Sequence, residues 1–149
     1  MSLRHFFLAF LLFLSPLAQA QEAALEPLEI ITSSGTHLFS VEVMRTDETR
    51  ARGLMYRRYM APDRGMLFDF KREASVAMWM KNTYLSLDMV FIDKACLVIN
   101  VAENTEPLSE RIIPSVGPVV SVLELNAGTA QRIGLKVGDH LRHSLFKQP

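Results

Sequence analysis

Apolar and polar residues alternate at every second position in several parts of the chain, which is typical of β-strands with one buried face. In residues 37–44, Phe39, Val41 and Val43 alternate with more polar neighbours. The short apolar run 30–32 lies just before them, across a serine–glycine sequence of the kind found in turns. Together these two runs predict a β-hairpin.

Further apolar runs predict additional strands, which cover residues 65–70, 74–83, 87–93, 96–101, 119–125 and 135–141. The charged residues 71–73 are expected to form a turn. Residues 103–118 contain three prolines and predict a long loop. Connections in compact domains are usually ~4–6 residues long, and longer ones are often functional.

Two short helices are predicted between the strands. Thr46 is a suitable N-cap, and the acidic pair after it suits the positive end of a helix dipole. Apolar spacing extends this helix to the arginine pair 57–58, with Gly53 inside it at a cost of about 1 kcal/mol relative to Ala. Residues 127–133 predict the second helix, which Gly134 would end.

Short strands joined mostly by turns, with only two short helices, indicate a mainly β fold. We expect a compact antiparallel β-sandwich or a partly open barrel. Residues 30–146 are expected to form a single β-rich domain, since domains cluster at ~100–150 residues. Residues 21–29 are expected to form a flexible N-terminal arm. The composition is 49% hydrophobic, which is sufficient for a packed core.

The first 20 residues have the pattern of a secretory signal peptide. A basic tip at Arg4 precedes the apolar run 6–14, and Ala18-Gln19-Ala20 provides the small residues that signal peptidase requires. The apolar run is shorter than the ~20 residues that span a bilayer, although an uncleaved N-terminal anchor is the alternative. Cleavage after Ala20 would give a periplasmic or secreted protein.

Charge and cysteine content narrow the function classes. The chain has 16 basic and 16 acidic side chains, and removal of Arg4 with the signal peptide leaves 15 basic ones. Such a balance gives no electrostatic reason to expect nucleic acid, or a membrane contact for the mature chain. Cys96 is the only cysteine, so no internal disulfide is possible.

The stretch 77–83 contains the only tryptophan and changes from apolar to polar at one end. Interpreted as a strand, it leaves the core and enters either a site or solvent. Glu124 alternates with Val120 and Val122, which predicts that its carboxyl group is at least partly buried. The candidate ligand-binding residues are Arg52, Trp79, Lys81, Asn82, Thr83, Asp88 and Glu124.

Three functional interpretations of these residues remain open beside a purely structural one. The first is binding of a small polar or anionic ligand, or of a partner protein in the periplasm, around Lys81–Asp88. The second is an enzyme that uses Glu124 or Asp88 as acid or base. The structural interpretation pairs Arg52 with Glu48 and Lys81 with Glu124, because a buried carboxylate needs a partner.

The third interpretation is a carrier of Cu(I), which thioether ligands prefer. Met78 and Met80 would share one strand face, but the segment contains no histidine to complete a site. Methionine also fills irregular cores without any metal. No cofactor and no metal site are therefore predicted.

Several short motifs occur in an order that resembles a known family. They are Arg52-Gly53-Leu54-Met55, Gly65-Met66-Leu67-Phe68, Trp79-Met80-Lys81-Asn82-Thr83, Leu87-Asp88, Phe91-Ile92-Asp93, Val122-Leu123-Glu124, Ala127-Gly128 and Gly138-Asp139. Over about residues 38–142 the chain closely resembles the uncharacterised bacterial and archaeal domain-of-unknown-function family 192 (DUF192). The resemblance implies a small, mostly β fold that is often exported behind a signal peptide, and it implies no reaction. The sequence Lys94-Ala95-Cys96 departs from the Asp-Gly-like turn usual in that family.

Overall fold

A computed structural model describes residues 24–146 of the chain. The predicted signal peptide and residues 21–23 of the predicted arm lie outside this range. Within it, no helix combines the length and the apolar character needed to cross a membrane.

Seven strands form one curled sheet in the order β6-β5-β8-β3-β2-β1-β9. Their bounds are β1 Leu25–Thr32, β2 Gly35–Met44, β3 Arg64–Ala74, β5 Leu87–Ile92, β6 Val98–Ala102, β8 Val119–Asn126 and β9 His140–Arg142. A separate ribbon pairs β4 (Ala77–Met78) with β7 (Ile113–Pro114). The helices are α1 (Asp47–Arg52) and α2 (Thr129–Ile133).

The sheet curls until its two edges meet. Leu97 bridges His140, the amide of Val98 donates to the carbonyl of Asp139 at 2.9 Å, and the amide of Gly138 donates back to Val98 at 2.8 Å. A mainly β fold with two short helices is thus confirmed, in its half-barrel form. One neighbouring pair, β2 and β3, is parallel because α1 carries the chain across between them.

Each face of the sheet packs against its own hydrophobic core. The inner core takes side chains from all seven strands, among them Ile30, Phe39, Leu67, Val90, Val98, Leu123 and Leu141. The outer core takes side chains from β2, β3, β5 and β8, among them Met44, Met66, Phe68, Met89 and Val122. The segment after α1 and the segment around β4 cover the outer core, through Leu54 and Met80.

The predicted N-terminal arm is wrong for residues 25–29. They belong to β1, where Leu25 pairs with Glu42 and Leu28 is fully buried. Pro27 is compatible with this strand because β9 pairs only with the later part of β1, at residues 29–31. The missing N–H of Pro27 therefore costs the sheet no hydrogen bond to β9.

Helix α1 begins as predicted and ends earlier than predicted. The Thr46 hydroxyl accepts from the Thr49 amide and the Thr49 hydroxyl accepts from the Thr46 amide, which forms a capping box. Gly53 has a φ of 47° and ends the helix. A Cβ at this position would lie 3.1 Å from the Phe68 ring, so the glycine allows this aromatic side chain to approach the backbone closely.

Three other predicted boundaries are wrong. Residues 71–73 belong to β3, which bulges between Asp69 and Ala74 where Lys71 has a φ of 64°. The stretch 74–83 is extended only in part, since β4 has just two residues and a turn follows. The last strand begins at His140 because the residues before it form turns.

Replacing Gly65 with Ala should lower the free energy of unfolding by ~1–3 kcal/mol. A Cβ at Gly65 would lie 2.9 Å from the carbonyl oxygen of Glu124, and backbone in the middle of a sheet cannot move away. Gly117→Ala is the matched control, because its nearest neighbour is 3.7 Å away. Urea denaturation of both variants tests this, and equal stabilities would contradict the packing described.

Candidate functional site

A hollow of about 230 Å³ opens on the outer face of the sheet. The end of α1 and the residues after it form one wall, and residues 77–83 form the other. Strands β3 and β8 provide the floor through Phe68, Phe70 and Glu124. Five of the seven predicted site residues line it, namely Arg52, Trp79, Lys81, Thr83 and Glu124.

Glu124 lies at the centre of this floor. It faces Met66 on β3 and Met89 on β5 as its cross-strand partners, and its side chain is only 4% exposed. No hydrogen bond or ion pair from residues 24–146 reaches its carboxyl group, and burial raises its pKa to about 8. At neutral pH this carboxyl group is therefore mostly protonated and able to donate a hydrogen bond.

Asp88 does not belong to the hollow. It pairs with Leu125, so its side chain lies on the inner face of the sheet, opposite to Glu124. Its carboxylate accepts from the amides of Asn104 at 2.9 Å and Ala130 at 2.8 Å. These bonds fix a loop and the start of α2, which identifies Asp88 as a structural residue.

Asn82 joins the two walls instead of lining the hollow. Its carbonyl accepts from the Tyr56 amide at 2.8 Å, and its side-chain amide donates to the Tyr56 hydroxyl at 3.0 Å. Both residues have positive φ, 55° for Asn82 and 65° for Tyr56. This backbone conformation is uncommon outside glycine, and strained residues of this kind cluster at functional sites.

Arg52 and Lys81 lie at the mouth of the hollow, where they are exposed to solvent. Lys81 is 3.8 Å from Glu110. The pairings expected from the structural interpretation, Arg52 with Glu48 and Lys81 with Glu124, are both absent from the described part of the chain. Glu110 partly neutralises Lys81, whereas Arg52 has no acidic partner among residues 24–146 and is available to a negatively charged group that enters the mouth.

Trp79 and Thr83 complete the predicted set. Trp79 is half-exposed on the wall that residues 77–83 form. Thr83 is buried, and its hydroxyl donates to the Lys81 carbonyl at 3.2 Å, so it mainly shapes the turn.

The sequence prediction missed several lining residues. Arg50 donates to the Asp69 carbonyl at 2.6 Å, pairs with Asp47 and lies 5.9 Å above the Phe70 ring. Leu54 and Phe68 provide apolar surface. Gly53-Leu54, at the end of the helix, is the sequence feature that could have indicated this wall. The position of the wall over β3 depends on the fold and is not visible in the sequence.

The geometry does not support the proposed copper ligands. Met80 is buried, and its thioether accepts from the Thr105 hydroxyl at 3.2 Å. Met78 lines the hollow, so the two methionines do not face a common site. Residues 24–146 also contain no cluster of three His, Cys, Asp or Glu side chains suited to a metal ion.

The fold and the site together define a small half-barrel domain with a loop-covered hollow on its outer face. The chain belongs to the DUF192 family, whose profile, described as "Uncharacterized ACR", matches residues 29–143. The family predicted from the sequence motifs is thus confirmed. No curated protein matches the chain.

Two solved structures resemble this chain closely. One, from Sinorhizobium meliloti 1021 and named a "putative transcription regulator", is 51% identical with a TM-score of 0.80, over 83% of this chain and 97% of its own. The other, a protein of unknown function from Novosphingobium aromaticivorans DSM 12444, is 35% identical with a TM-score of 0.80, over 83% of this chain and 89% of its own. Neither name includes a reaction.

The contribution of Glu124 to the stability of the protein should fall as the pH rises from about 4.5 to about 8. In this window the unfolded state has lost the Glu124 proton and the folded state retains it, so raising the pH favours unfolding by up to ~1.4 kcal/mol per unit. Glu124→Gln removes this titration. Urea denaturation across the window should show the variant gaining stability relative to the wild type, and parallel curves would contradict a neutral Glu124.

Asn82→Ala should destabilise the protein by ~1–2 kcal/mol, because alanine disfavours positive φ and cannot bond to Tyr56. Asn82→Gly loses the same side-chain hydrogen bond, but glycine adopts positive φ without strain, so this variant should lower the free energy of unfolding by less than Asn82→Ala does. Lys81→Ala, next in the chain, should change the free energy of unfolding by less than ~0.5 kcal/mol. Equal losses in the two Asn82 variants would argue against backbone strain.

Proposed function

We propose that this protein is an exported binding protein for a small organic anion, which enters the hollow above Glu124. The observation that supports this most strongly is a buried carboxyl group at the floor of a hollow, with no hydrogen-bond or ion-pair partner among the described residues. Buried polar groups are normally paired, so an unpaired one that faces a hollow favours a ligand as its partner.

The chemistry of the lining defines the class of ligand. A neutral Glu124 donates a hydrogen bond, which favours a carbonyl or ether oxygen at the inner end of the ligand. Leu54, Phe68 and Trp79 favour an apolar middle. Arg52 at the mouth favours a carboxylate or phosphate at the outer end. A small oxo-carboxylate combines these three features.

The volume of the hollow limits the size of the ligand. At ~30 Å³ per water-sized group, about 230 Å³ holds roughly eight such groups. This is smaller than the ~300–1,000 Å³ typical of pockets for drug-sized ligands. A short-chain acid is therefore a better fit than a nucleotide or an oligosaccharide.

The proposal places the mature protein in the periplasm or outside the cell, because residues 1–20 have the pattern of a cleavable signal peptide. A binding protein in that compartment would meet small organic acids from the surroundings.

Titration with levulinate, a short 4-oxo acid, tests the proposal. Trp79 is the only tryptophan and lines the hollow, so its fluorescence should change on binding. Above about pH 8 the affinity of the wild type should fall by about tenfold per pH unit, because the ionised Glu124 no longer donates. Glu124→Gln keeps a donor and should bind without this pH dependence.

Two comparisons make this titration specific. Pentanoate lacks the oxo group and should bind the wild type more weakly than levulinate does. Glu124→Met has no donor for the oxo group, so it should bind the two acids with equal, low affinity. Lys136→Ala changes an exposed lysine away from the hollow and should leave the affinity unchanged. If levulinate gives no fluorescence change, or binds Glu124→Met as tightly as wild type, this ligand class is wrong.

An enzyme with Glu124 as general acid or base is the second candidate. The same raised pKa supports it, since a carboxyl group that titrates near the working pH suits proton transfer. Asp88 cannot take this role, because it is buried on the other face. Binding is the better-supported function because, among residues 24–146, the lining of the hollow offers no second acid or base besides its cations. Loss of levulinate during the titration, abolished in Glu124→Gln, would favour the enzyme.

Transcription regulation, as in the name of the S. meliloti protein, receives less support from this chain. Its basic and acidic side chains balance at 16 each, whereas DNA-binding domains usually carry an excess of lysine and arginine.

A further inference from the structure

The tyrosines and the tryptophan of this chain are all exposed, and all lie on the segment after α1 or on the segment after β4. Tyr56 and Tyr59 follow α1, whereas Trp79 and Tyr84 follow β4, and they are 60%, 75%, 49% and 40% exposed. Four phenylalanines on the sheet and near the C-terminus are instead buried, namely Phe39, Phe68, Phe91 and Phe146. Aromatic side chains with a polar atom, gathered on one surface, are typical of a contact region.

The same two segments carry positive charge. Residues 50–59 and 79–84 contain four arginines and one lysine but no acidic residue. Glu42 neutralises Arg57 and Glu110 lies near Lys81. Arg58 instead lies 4.7 Å above the Tyr84 ring, which holds its guanidinium in place while leaving its charge uncompensated.

A second hollow gives this surface a concave shape. It has a volume of about 710 Å³ and begins on the far side of the α1 end, where Arg52, Gly53 and Met55 line both hollows. Tyr56, Tyr59, Arg57, Arg64 and Leu25 line the rest of it, among others. An extended polypeptide fits an open groove of this kind better than a compact small molecule does.

We propose that Arg52, Tyr56, Arg58, Tyr59 and Tyr84 form a docking surface for an acidic segment of a partner protein, and we call it the tyrosine–arginine surface. Tyrosine, tryptophan and arginine are the residues that contribute most energy to protein–protein interfaces. The uncompensated charge of Arg52 and Arg58 selects an acidic partner. Since the whole chain has a net charge of zero, the positive charge is local and suits a short segment better than a long polyanion. This role does not depend on a ligand in the hollow above Glu124.

Fluorescence anisotropy with the mature protein tests this surface. The probes are two labelled peptides, one of alternating glutamate and leucine and one with glutamine in place of glutamate. The glutamate peptide should bind about tenfold more tightly, and added salt should reduce the difference. Arg58→Glu and Tyr59→Ser should each weaken its binding by about tenfold, as expected at the edge of a hot spot.

Arg132→Glu is the matched control. It reverses another exposed charge, on α2 and away from the two segments that carry the tyrosine–arginine surface, and should leave binding of the glutamate peptide nearly unchanged. Tyr59 is the most exposed of the four aromatic side chains, so Tyr59→Ser should fold even if Arg58→Glu does not. Circular dichroism checks the fold of each variant.

Three results would overturn the proposal. One is equal binding of the two peptides. Another is an equal loss of binding in Arg132→Glu and Arg58→Glu. The third is a single-stranded deoxythymidine oligonucleotide that binds more tightly than the glutamate peptide and is released by Tyr59→Ser, which would indicate a base-stacking surface.

Discussion

Strand β8 is buried on both faces, and the alternation of its side chains decides what each core contains. Leu123 and Leu125 enter the inner core, whereas Val122 and Glu124 enter the outer one. A carboxylate in that position would lose its hydration without gaining a cation. The group therefore retains its proton, and its pKa rises to about 8. The candidate site therefore owes its buried carboxyl group to a single acidic residue in a strand that is buried on both faces.

The cover over the outer core explains why this acid faces a hollow. Gly53 ends α1 against the Phe68 ring, so the chain turns across β3 at close range. Tyr56 and Asn82 then tie this segment to the one after β4 through two hydrogen bonds, with both backbones at positive φ. Such strain persists only where the surroundings enforce it, and here it accompanies the contact that fixes the two irregular segments relative to each other beside the hollow above Glu124.

Patterns within one segment were predictable from the sequence, whereas relations between segments were not. Alternation predicted the burial of Glu124, and local chemistry predicted the Thr46 cap and the first hairpin. The separation of Asp88 from Glu124 depends on the register between β5 and β8, which places Asp88 opposite Leu125. No local pattern encodes that register. The prediction of a strand through residues 77–83 was also wrong for most of this stretch, because a turn that packs on the outer core follows the two residues of β4.

The short segment from Arg52 to Met55 connects the two proposed roles of the molecule. It walls the small hollow on one side and the larger open groove on the other. Its position depends on Gly53, which approaches the Phe68 ring, and on the Tyr56–Asn82 contact. Arg52 is an exposed side chain at this boundary and can pair with an anion in only one of the two spaces at a time. On the two proposals, an anionic ligand and an acidic partner would compete for the same guanidinium, and this competition would couple the two sites without any change in the sheet.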